Sequence, residues 1–380
     1  MNIGIDKIGF YSPGQYIDMK DLAHRRNTDP NKYTLGLGQE EMSVICPTQD
    51  PVTMAANAAS KILTQDDKDT IDLVLFATET ALDYSKAMSV YVRHLLDIQP
   101  FARCVELKEA CYSGTAAIQL AKSHIAQHPD KKVLILMSDI SKYGLNTPGE
   151  PTQGAGAVAI ILSKDPKLLI VEDDASFYTD DVMDFWRPNY SDVALVDGKY
   201  SNEQYQRFLN ITYNNYLEKT KRTLDDFKAI IFHTPYTKIG LKATQSITED
   251  EERLDIFKQS TYYNRRVGNV YTGSLYLSLI SLLDAKILEA DDRVGLYSYG
   301  SGSVAEFFSM RAVEGYEKHL YPNHKTDLDN RRQIDIDTYE TMYTFNYPQD
   351  GSHLELDSTL DAGPYVISHI DGHIRYYTKK

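Results

Sequence analysis

The sequence predicts an α/β protein made of two similar halves, and three observations support this fold class. Apolar runs of strand length alternate with helical segments along the chain. The same order of these elements occurs twice. The 380 residues, 42% of them hydrophobic and 25% charged, have an ordinary globular composition and can bury a large core.

The first half combines strands with a helix rich in small residues. The strand-like run "IDLVLFATET" ends near Glu79, and Cys111 follows in a turn that leads into a helix over residues 113–127. The strand "KVLILMSD" comes next, and "GAGAVAIIL" is a glycine turn that leads into another apolar strand. This alternation predicts an α/β unit, which we assign to residues 1–165.

The second half repeats this order. "FKAIIFHTPY" is a strand that ends near His233, and "GNVYTGSLYLSLISLLDAKIL" is a turn that leads into a helix over residues 273–288. "RVGLYSYGSGSVAEFFSM" follows as strand, glycine turn and strand. We assign residues 166–380 to this half. It is predicted to contain a partly helical insertion around residues 176–225 and a C-terminal surface elaboration after Lys325.

The two helices that follow the turns differ in their apolar surfaces. The helix over residues 273–288 is apolar on nearly every side, which predicts burial on every side. It is too short, and its flanks too polar, for a membrane span. The helix over residues 113–127 has apolar residues on one face. A pair of buried helices sandwiched between two sheets would satisfy both patterns.

Composition excludes several classes of protein. The three cysteines, Cys46, Cys104 and Cys111, form neither a disulfide framework nor a zinc motif, which favours a reducing compartment. No apolar run has the length of a membrane span and no signal peptide is visible, so we expect a cytoplasmic protein. The net charge of -14 argues against nonspecific binding of nucleic acid. No motif for a metal, nucleotide or redox cofactor is present.

Cys111 is the first candidate functional residue. A lone cysteine near the start of a helix most often serves only as a small apolar residue in packing. The functional alternative is that the helix N-terminus favours the thiolate form of Cys111, while Gly114 and its small neighbours allow a substrate to approach closely.

Polar residues at the matching strand ends favour the functional alternative. Glu79 and His233 each follow a buried strand, and Asn269 lies in the second turn as the counterpart of Cys111. A carboxylate at such a strand end loses part of its hydration, which raises its pKa toward that of a useful base. Each residue alone has an ordinary structural explanation. Together they form a candidate set of nucleophile, base and hydrogen-bond donors.

Five stretches together resemble the family of 3-hydroxy-3-methylglutaryl-CoA (HMG-CoA) synthases, most closely the compact bacterial type. They are "KEACYSGTAAIQLA", "GEPTQGAGAVAIIL", "FHTPYTK", "VGNVYTGSLYLSLISLL" and "SYGSGSVAEFFS". The similarity covers nearly the whole chain and weakens over the last thirty residues. It implies the thiolase-like fold, in which two duplicated α/β halves form five layers (αβαβα), and a homodimer.

The resemblance also implies a reaction and its residues. Cys111 would be acetylated by acetyl-CoA, Glu79 would remove a proton from the acetyl group, and His233 would anchor acetoacetyl-CoA and act as the acid. The coenzyme A thioesters are substrates, and no cofactor is implied. Further positions match as follows: Asn269 and Ser301 near the acetoacetyl group, Tyr143 at the mouth of the site, Asp184 in "DFWRP", and Lys238 and Lys242 near the coenzyme A entrance. Ser113 departs from the glycine or alanine that relatives commonly carry, and this would affect the acylation rate.

Two other functions compete with this one. A decarboxylating enzyme of the ketoacyl-carrier-protein synthase III type would also use Cys111, His233 and Asn269, but it would need no glutamate, since decarboxylation itself generates the carbanion. A thiolase would use a second cysteine as base, and Cys46 and Cys104 lie outside the repeated strand ends. A non-catalytic acyl-binding or thiol-sensing protein on the same fold would keep Cys111 without needing Glu79 or His233.

Overall fold

A computed structural model describes residues 1–380. Its strands are β1 (Ile3–Tyr11), β2 (Gln15–Asp18), β3 (Glu41–Val44), β4 (Ile71–Ala77), β5 (Arg103–Leu107), β6 (Lys132–Ser141), β7 (Gly154–Lys164), β8 (Leu169–Thr179), β9 (Phe185–Trp186), β10 (Leu195–Val196), β11 (Ala229–Phe232), β12 (Arg293–Gly300), β13 (Val304–Ala312), β14 (Arg332–Gln333), β15 (Leu354–Glu355), β16 (Tyr365–Asp371) and β17 (Ile374–Lys379). Its helices are α1 (Met19–Arg25), α2 (Pro51–Ser60), α3 (Gln65–Thr70), α4 (Met88–Leu95), α5 (Ser113–Gln127), α6 (Gly198–Thr220), α7 (Thr237–Ile247), α8 (Glu251–Ser260), α9 (Tyr262–Val267), α10 (Ser274–Asp284), α11 (His324–Asp329) and α12 (Ile336–Tyr343).

The strands of both halves belong to one nine-stranded sheet, with the order β11-β12-β13-β8-β1-β7-β6-β4-β5. The first half supplies β1, β7, β6, β4 and β5, and the second supplies β11, β12, β13 and β8. The halves meet where β1 pairs briefly with β8, through Gly4 with Ile170 and Ile5 with Leu169. A Cβ at residue 4 would lie 2.0 Å from the carbonyl oxygen of Leu169, so only glycine permits this approach. The expectation of two separate sheets is corrected in this respect.

Three apolar clusters define the layers of the molecule. Alternate residues of β4 point to opposite sides: Leu73 and Leu75 join the central core, whereas Val74 and Phe76 join the cluster under α2 and α4. The central core contains both α5 and α10 together with residues from both half-sheets. A third cluster lies under α6 and α7 on the outer side of β12 and β13. Helices, half-sheet, helices, half-sheet and helices therefore follow one another, which is the predicted five-layered arrangement.

The two central helices show where the sequence pattern gave correct bounds and where it did not. Helix α5 spans Ser113–Gln127, as predicted. Helix α10 spans Ser274–Asp284 and is shorter than predicted at its C-terminus. Lys286 has a φ of 56°, a left-handed conformation that ends the helix although the apolar pattern continues to Leu288. The residues of α10 from Ser274 to Leu283 are all buried, as its apolar surface predicts.

The segment predicted to be an insertion has a different role in the structure. Residues 176–179 belong to β8, which pairs with β13 through Thr179 and Val304. The helix that follows, α6, packs on β8 and β13 through residues such as Tyr205, Phe208 and Tyr216. It covers the outer face of the second half as α2 covers that of the first. Within the predicted insertion, the stretch between β8 and α6 is the part that belongs neither to the large sheet nor to the helix that covers it.

The C-terminal residues form a small sheet, β15-β16-β17, that packs against α2. The Asn57 side chain donates to the carbonyl of Tyr365 at 3.0 Å and accepts from its backbone N–H at 2.9 Å. No helix combines the length and apolar character that crossing a membrane requires.

Candidate active site

The site lies at the carboxyl ends of parallel strands. β4 pairs in parallel with both β5 and β6, so the residues after these three strands meet at one edge of the sheet. Glu79 follows β4, Asp139 lies near the end of β6, and the Cys111 turn follows β5. In the second half, β11 and β12 are also parallel, which places His233 beside the end of β12. The candidate residues of the two halves therefore follow corresponding strand ends.

Cys111 and Glu79 are in direct contact. The Cys111 thiol donates a hydrogen bond to Oε1 of Glu79 at 3.0 Å. Burial and the neighbouring Asp139 carboxyl raise the pKa of Glu79 to about 8. Both side chains are only partly exposed. Glu79 therefore has the basicity of a group that can take up and release a proton near neutral pH.

The predicted thiolate form of Cys111 is not favoured in this environment. Burial, followed by the adjacent Glu79 carboxyl, raises the pKa of Cys111 well above its usual value. The helix N-terminus was expected to lower it, but exclusion of water and neighbouring carboxylates outweigh the helix dipole. The thiol is therefore protonated in the free protein, and Glu79 is placed to accept its proton.

Asp139 is a site residue that the sequence interpretation missed. Its side chain is fully buried and accepts hydrogen bonds from the backbone N–H of Glu79 at 2.7 Å and from the Thr272 hydroxyl at 2.6 Å. Thr78 and Thr80 also donate to it, at 2.8 and 2.9 Å. It thus ties the Glu79 strand end to the turn before α10. The strand-end rule that selected Glu79 applies equally to "KVLILMSD" and could have selected Asp139.

The local backbone fixes the direction of Cys111. Ala110 has a φ of 43°, a left-handed conformation that turns the chain sharply before the cysteine. Ser113, the departure from the family pattern, is buried and donates its hydroxyl to the carbonyl of Ala110 at 2.9 Å. Gly114 is required by space, because a Cβ there would lie 2.8 Å from the carbonyl oxygen of Thr272.

His233 lies in the second half with a neutral imidazole. Its backbone is held on both sides, since its N–H donates to the carbonyl of Tyr297 at 2.8 Å and its carbonyl accepts from the Tyr205 hydroxyl at 2.8 Å. Its ring has no hydrogen-bond partner in the protein. Burial lowers the pKa of His233 to about 3. A neutral imidazole of this kind can donate an N–H to a carbonyl oxygen, but it carries no excess proton at neutral pH.

Asn269 and Tyr143 are brought together, as expected for residues of one site. The Asn269 amide donates to the Tyr143 hydroxyl at 3.2 Å, and its oxygen accepts from the backbone N–H of Tyr271 at 2.9 Å. The Tyr143 backbone N–H donates to the Gln153 side chain at 2.7 Å. Gln153 therefore holds the backbone of Tyr143, and the Tyr143 hydroxyl points toward the turn that carries Asn269.

Asp184 and Ser301 lie at the hairpin between β12 and β13. Asp184 is fully buried and accepts from the Tyr299 hydroxyl at 2.9 Å and from the backbone N–H of Gly302 at 3.0 Å. Ser301 is partly exposed at the tip of the same hairpin. Asp184 thus holds the backbone around Ser301 by hydrogen bonds, and its charge also raises the pKa of Cys111.

Lys238 and Lys242 lie on α7 and have no contact with Glu79, Cys111 or Asp139. Both belong to α7, which begins four residues after His233, and their i, i+4 spacing puts them on one helix face. Lys242 is exposed and Lys238 partly so, and neither has an ion-pair partner. No group of three or more His, Cys, Asp or Glu side chains is arranged to hold a metal ion.

A cavity of about 630 Å³ is lined in part by Glu79. A smaller cavity of about 470 Å³ lies between α8, α10 and the segment before α11, and none of the candidate site residues lines it. The larger cavity is also lined by Thr80, Lys142 and Arg187. Arg187 is close enough that its charge opposes the rise in the pKa of Glu79. Water in this cavity can reach the carboxyl group.

Comparison with family models covers almost the whole chain. Residues 1–167 match the model described as "Hydroxymethylglutaryl-coenzyme A synthase N terminal". Residues 170–255 and 240–380 match "Hydroxymethylglutaryl-coenzyme A synthase C terminal". The division between the two models lies between the end of β7 and the start of β8, where the chain passes from one half to the other.

Individual relatives agree with the family models. The chain is 48% identical to hydroxymethylglutaryl-CoA synthase from Enterococcus faecalis over 99% of this chain and 100% of that protein. A crystal structure of HMG-CoA synthase complexed with CoA superposes with a TM-score of 0.97 at 44% identity over 100% of both chains. The structure of MvaS in complex with 3-hydroxy-3-methylglutaryl coenzyme A gives a TM-score of 0.89 at 34% identity over 100% of this chain and 99% of that one.

Proposed function

Because the chain belongs to the hydroxymethylglutaryl-CoA synthase family, we propose that Glu79, Cys111 and His233 carry out the condensation that defines the family. The enzyme is an acyltransferase: it condenses acetyl-CoA with acetoacetyl-CoA and water to give HMG-CoA and CoA. This is a step of the mevalonate pathway to isoprenoids. The observation that carries the assignment of residues is the 3.0 Å contact between Cys111 Sγ and Glu79 Oε1.

In the first step, the acetyl group moves from acetyl-CoA to Cys111. Glu79 accepts the thiol proton across their hydrogen bond, the sulfur attacks the thioester carbonyl, and CoA leaves as a thiol after receiving that proton from Glu79, which returns to its carboxylate form. Because the pKa of Cys111 is raised, little thiolate exists beforehand, and transfer of the thiol proton to Glu79 speeds this attack. Backbone N–H groups at the start of α5 can hold the oxygen that becomes negative.

In the second step, Glu79 takes a proton from the methyl group of acetyl-Cys111. The resulting enolate attacks the ketone carbon of acetoacetyl-CoA, and a new carbon–carbon bond forms. The neutral His233 imidazole donates a hydrogen bond through its N–H to the ketone oxygen and stabilises the developing alkoxide, which takes up the proton that Glu79 removed from the methyl group. Asn269, Tyr143 and Ser301 would orient the acetoacetyl group, with Asp184 holding the backbone around Ser301.

In the third step, water cleaves the Cys111 thioester and releases HMG-CoA. The cavity of about 630 Å³ that reaches Glu79 supports a route for this water.

A base at position 79 also separates this reaction from decarboxylative condensation, in which loss of carbon dioxide generates the carbanion. The carboxylate therefore favours the synthase over the ketoacyl-carrier-protein synthase alternative.

Binding of coenzyme A and assembly complete the proposal. Lys238 and Lys242, which have no ion-pair partner, would hold the phosphates of coenzyme A at the entrance.

No cofactor is part of the proposal. The three cysteines are unpaired, which is usual for proteins of a reducing compartment, so we propose a cytoplasmic location. We also retain residues 1–165 and 166–380 as the two halves.

A homodimer is proposed through the edge of the sheet. β5 is the terminal strand of the nine-stranded sheet, and one of its edges has no partner. Val105 on this strand is 43% exposed, and Phe101 and Tyr84 nearby are 89% and 86% exposed. An unpaired edge flanked by exposed apolar side chains is suited to pairing with a second copy.

The assignment of residues is tested by acetylation and condensation assays on matched variants. With acetyl-CoA alone, mass spectrometry should find one acetyl group on Cys111, none in Cys111→Ser, and an unchanged adduct in the control Cys104→Ser. Glu79→Ala should retain part of this acetylation but lose condensation with acetoacetyl-CoA by about a hundredfold or more. His233→Ala should acetylate and fail mainly with acetoacetyl-CoA.

Two results would contradict the assignment. If Glu79→Ala condensed at the parent rate, Glu79 would not be the base. If malonyl-carrier protein replaced acetoacetyl-CoA with release of carbon dioxide, the decarboxylating alternative would hold. A complete absence of acetyl-Cys111 in the parent enzyme would favour an acyl-binding or thiol-sensing protein.

A further inference from the structure

A buried carboxyl group, Glu306, lies behind the Cys111 turn and has no role in the steps above. It belongs to β13 in the second half and is 2% exposed. No lysine or arginine forms an ion pair with it. Burial raises the pKa of Glu306, while hydrogen bonds from Tyr112 and Gln119 oppose the rise. Burying a carboxyl group without an ion pair costs folding free energy, so the hydrogen bonds to Glu306 have to offset that cost.

Both oxygens of Glu306 accept hydrogen bonds from the segment that begins at Cys111. The Tyr112 hydroxyl donates to Oε2 at 2.7 Å, and the Gln119 amide donates to Oε1 at 2.7 Å. Tyr112 is the N-cap of α5, and Gln119 lies two turns later on the same face. One carboxyl group of the second half therefore holds the beginning and the middle of the nucleophile helix.

The neighbouring strand β12 closes on the same turn. A Cβ at Gly300 would lie 2.7 Å from the Tyr112 backbone nitrogen and 2.7 Å from the Glu109 carbonyl oxygen, so the strand end touches the turn directly. Further along, the Thr115 hydroxyl contacts the Ser298 hydroxyl of β12 at 2.8 Å. The turn is thus packed closely against the β12–β13 hairpin.

We propose that Glu306 is a positioning residue for the nucleophile: by holding the Tyr112 hydroxyl it directs the adjacent Cys111 thiol toward Glu79. The proposal rests on the proposed function of Cys111 and Glu79. Tyr112 follows Cys111 directly, and Ala110 on the other side is fixed at a φ of 43°. Small rotations of Tyr112 therefore move the sulfur, and misplacement of a reacting group by about 1 Å can cost about a hundredfold in rate.

The test measures acetylation of Cys111 under single-turnover conditions at saturating acetyl-CoA. Tyr112→Phe removes the hydroxyl, and Glu306→Met removes both acceptors at similar size. Each should slow acetylation about tenfold to a hundredfold, with the KM for acetyl-CoA unchanged. The double variant should be no slower than the slower single variant, because both changes break one contact.

A conservative variant and a matched control separate positioning from general destabilisation. Glu306→Gln can still accept from Tyr112 and, with its amide turned, donate to the Gln119 oxygen, so it should retain most of the parent rate. Tyr216→Phe removes another buried hydroxyl of the second half, bonded to Ser309 Oγ at 3.1 Å, and should acetylate at the parent rate. Thermal unfolding of all variants shows which of them are folded.

Three results would overturn the proposal. They are a parent rate of acetylation in Tyr112→Phe, rate losses that multiply in the double variant, and a Glu306→Gln variant as slow as Glu306→Met. If Glu306→Met does not fold, Tyr112→Phe decides the question alone. Failure of the underlying function is distinguishable, because the parent enzyme itself would then form no acetyl-Cys111.

Discussion

If Glu79 is the base, as proposed, its raised pKa should set the pH dependence of the carbon–carbon bond-forming step. Only the carboxylate form can take a methyl proton, and its pKa is about 8. Acetylation removes the Cys111 thiol proton, whose hydrogen bond lowers this pKa. The pKa of Glu79 should therefore be no lower in the acetyl-enzyme than in the free enzyme. Proton removal should therefore increase as the pH rises through about 8 and level off above it.

Exchange of the acetyl methyl protons in deuterated water, measured on the acetyl-enzyme, checks this prediction. Glu79→Gln is the control, and its exchange should be slow at every pH. An exchange rate independent of pH between 6 and 10 would contradict the prediction, because a base with a pKa of about 8 must titrate in that range.

The same carboxyl group should lower the stability of the protein. Its pKa is raised from 4.5 to about 8 on folding, so the folded protein binds the proton more tightly than the unfolded chain. Stability from this group is therefore lost as the pH rises from about 4.5 and is fully lost above about 8. Glu79→Gln should raise Tm by about 2 °C at pH 9 and have little effect near pH 4. Calorimetry of both proteins across this pH range would contradict the idea if the difference were constant or reversed.

At the scale of single residues, the strand-end rule predicted that Glu79 and the Cys111 turn would lie together, as their 3.0 Å contact shows, whereas the place of the His233 side chain beside them stays a prediction. The rule depends on chain order alone, because parallel strands place their carboxyl ends together. The protonation state of Cys111 could not be predicted in this way. It depends on Glu79 and Asp139, whose distances to the sulfur are set by tertiary packing.

At the scale of elements, α10 is expected to be the most sensitive helix to loss of volume. Leu279 lies in its middle and is fully buried in the core cluster shared by both halves. Leu279→Ala should lower the free energy of unfolding by about 2–5 kcal/mol. The surrounding side chains belong to several elements, so they cannot all move in to fill the cavity that the substitution leaves. The control Leu360→Ala, at a residue that is 49% exposed, should change it by less than about 0.5 kcal/mol. Urea unfolding measures both, and equal losses would contradict the central position of α10.

Element bounds were predictable where local conformation and apolar pattern agree. Helix α5 begins after a turn and ends as its apolar face ends, so its bounds follow from the sequence. In α10, the left-handed Lys286 stops the helix before the apolar residues do. The role of α6 was missed because its pattern shows a helix but not the half-sheet that it covers.

At the scale of the whole molecule, the edge strand β5 should control assembly. Val105→Lys places a charge on the proposed dimer edge and should convert a dimer into monomers without unfolding them. Ile374→Lys, at an apolar residue that is 54% exposed on β17, is the control and should leave the dimer intact. Light scattering after size exclusion measures both masses. A Val105→Lys protein that remains dimeric would exclude this edge.

The continuity of the nine-stranded sheet was the least predictable feature of the architecture. Repetition of elements showed two α/β units, but the pairing of β1 with β8 involves only two residue pairs. Such a short contact leaves no periodic signal. It depends on the absence of a side chain at Gly4, which is visible only once both strands are in place.

The protonated sulfur of Cys111 has a consequence for covalent inhibitors. Peroxides and simple alkylating agents react with thiolates, so the resting enzyme should resist them better than exposed cysteine enzymes do. An electrophile whose leaving group takes up a proton can instead use the hydrogen that Cys111 donates to Glu79, as proposed for acetyl-CoA. Selective covalent inhibitors of this site should therefore be weak electrophiles with a leaving group that is basic enough to take up a proton as it departs.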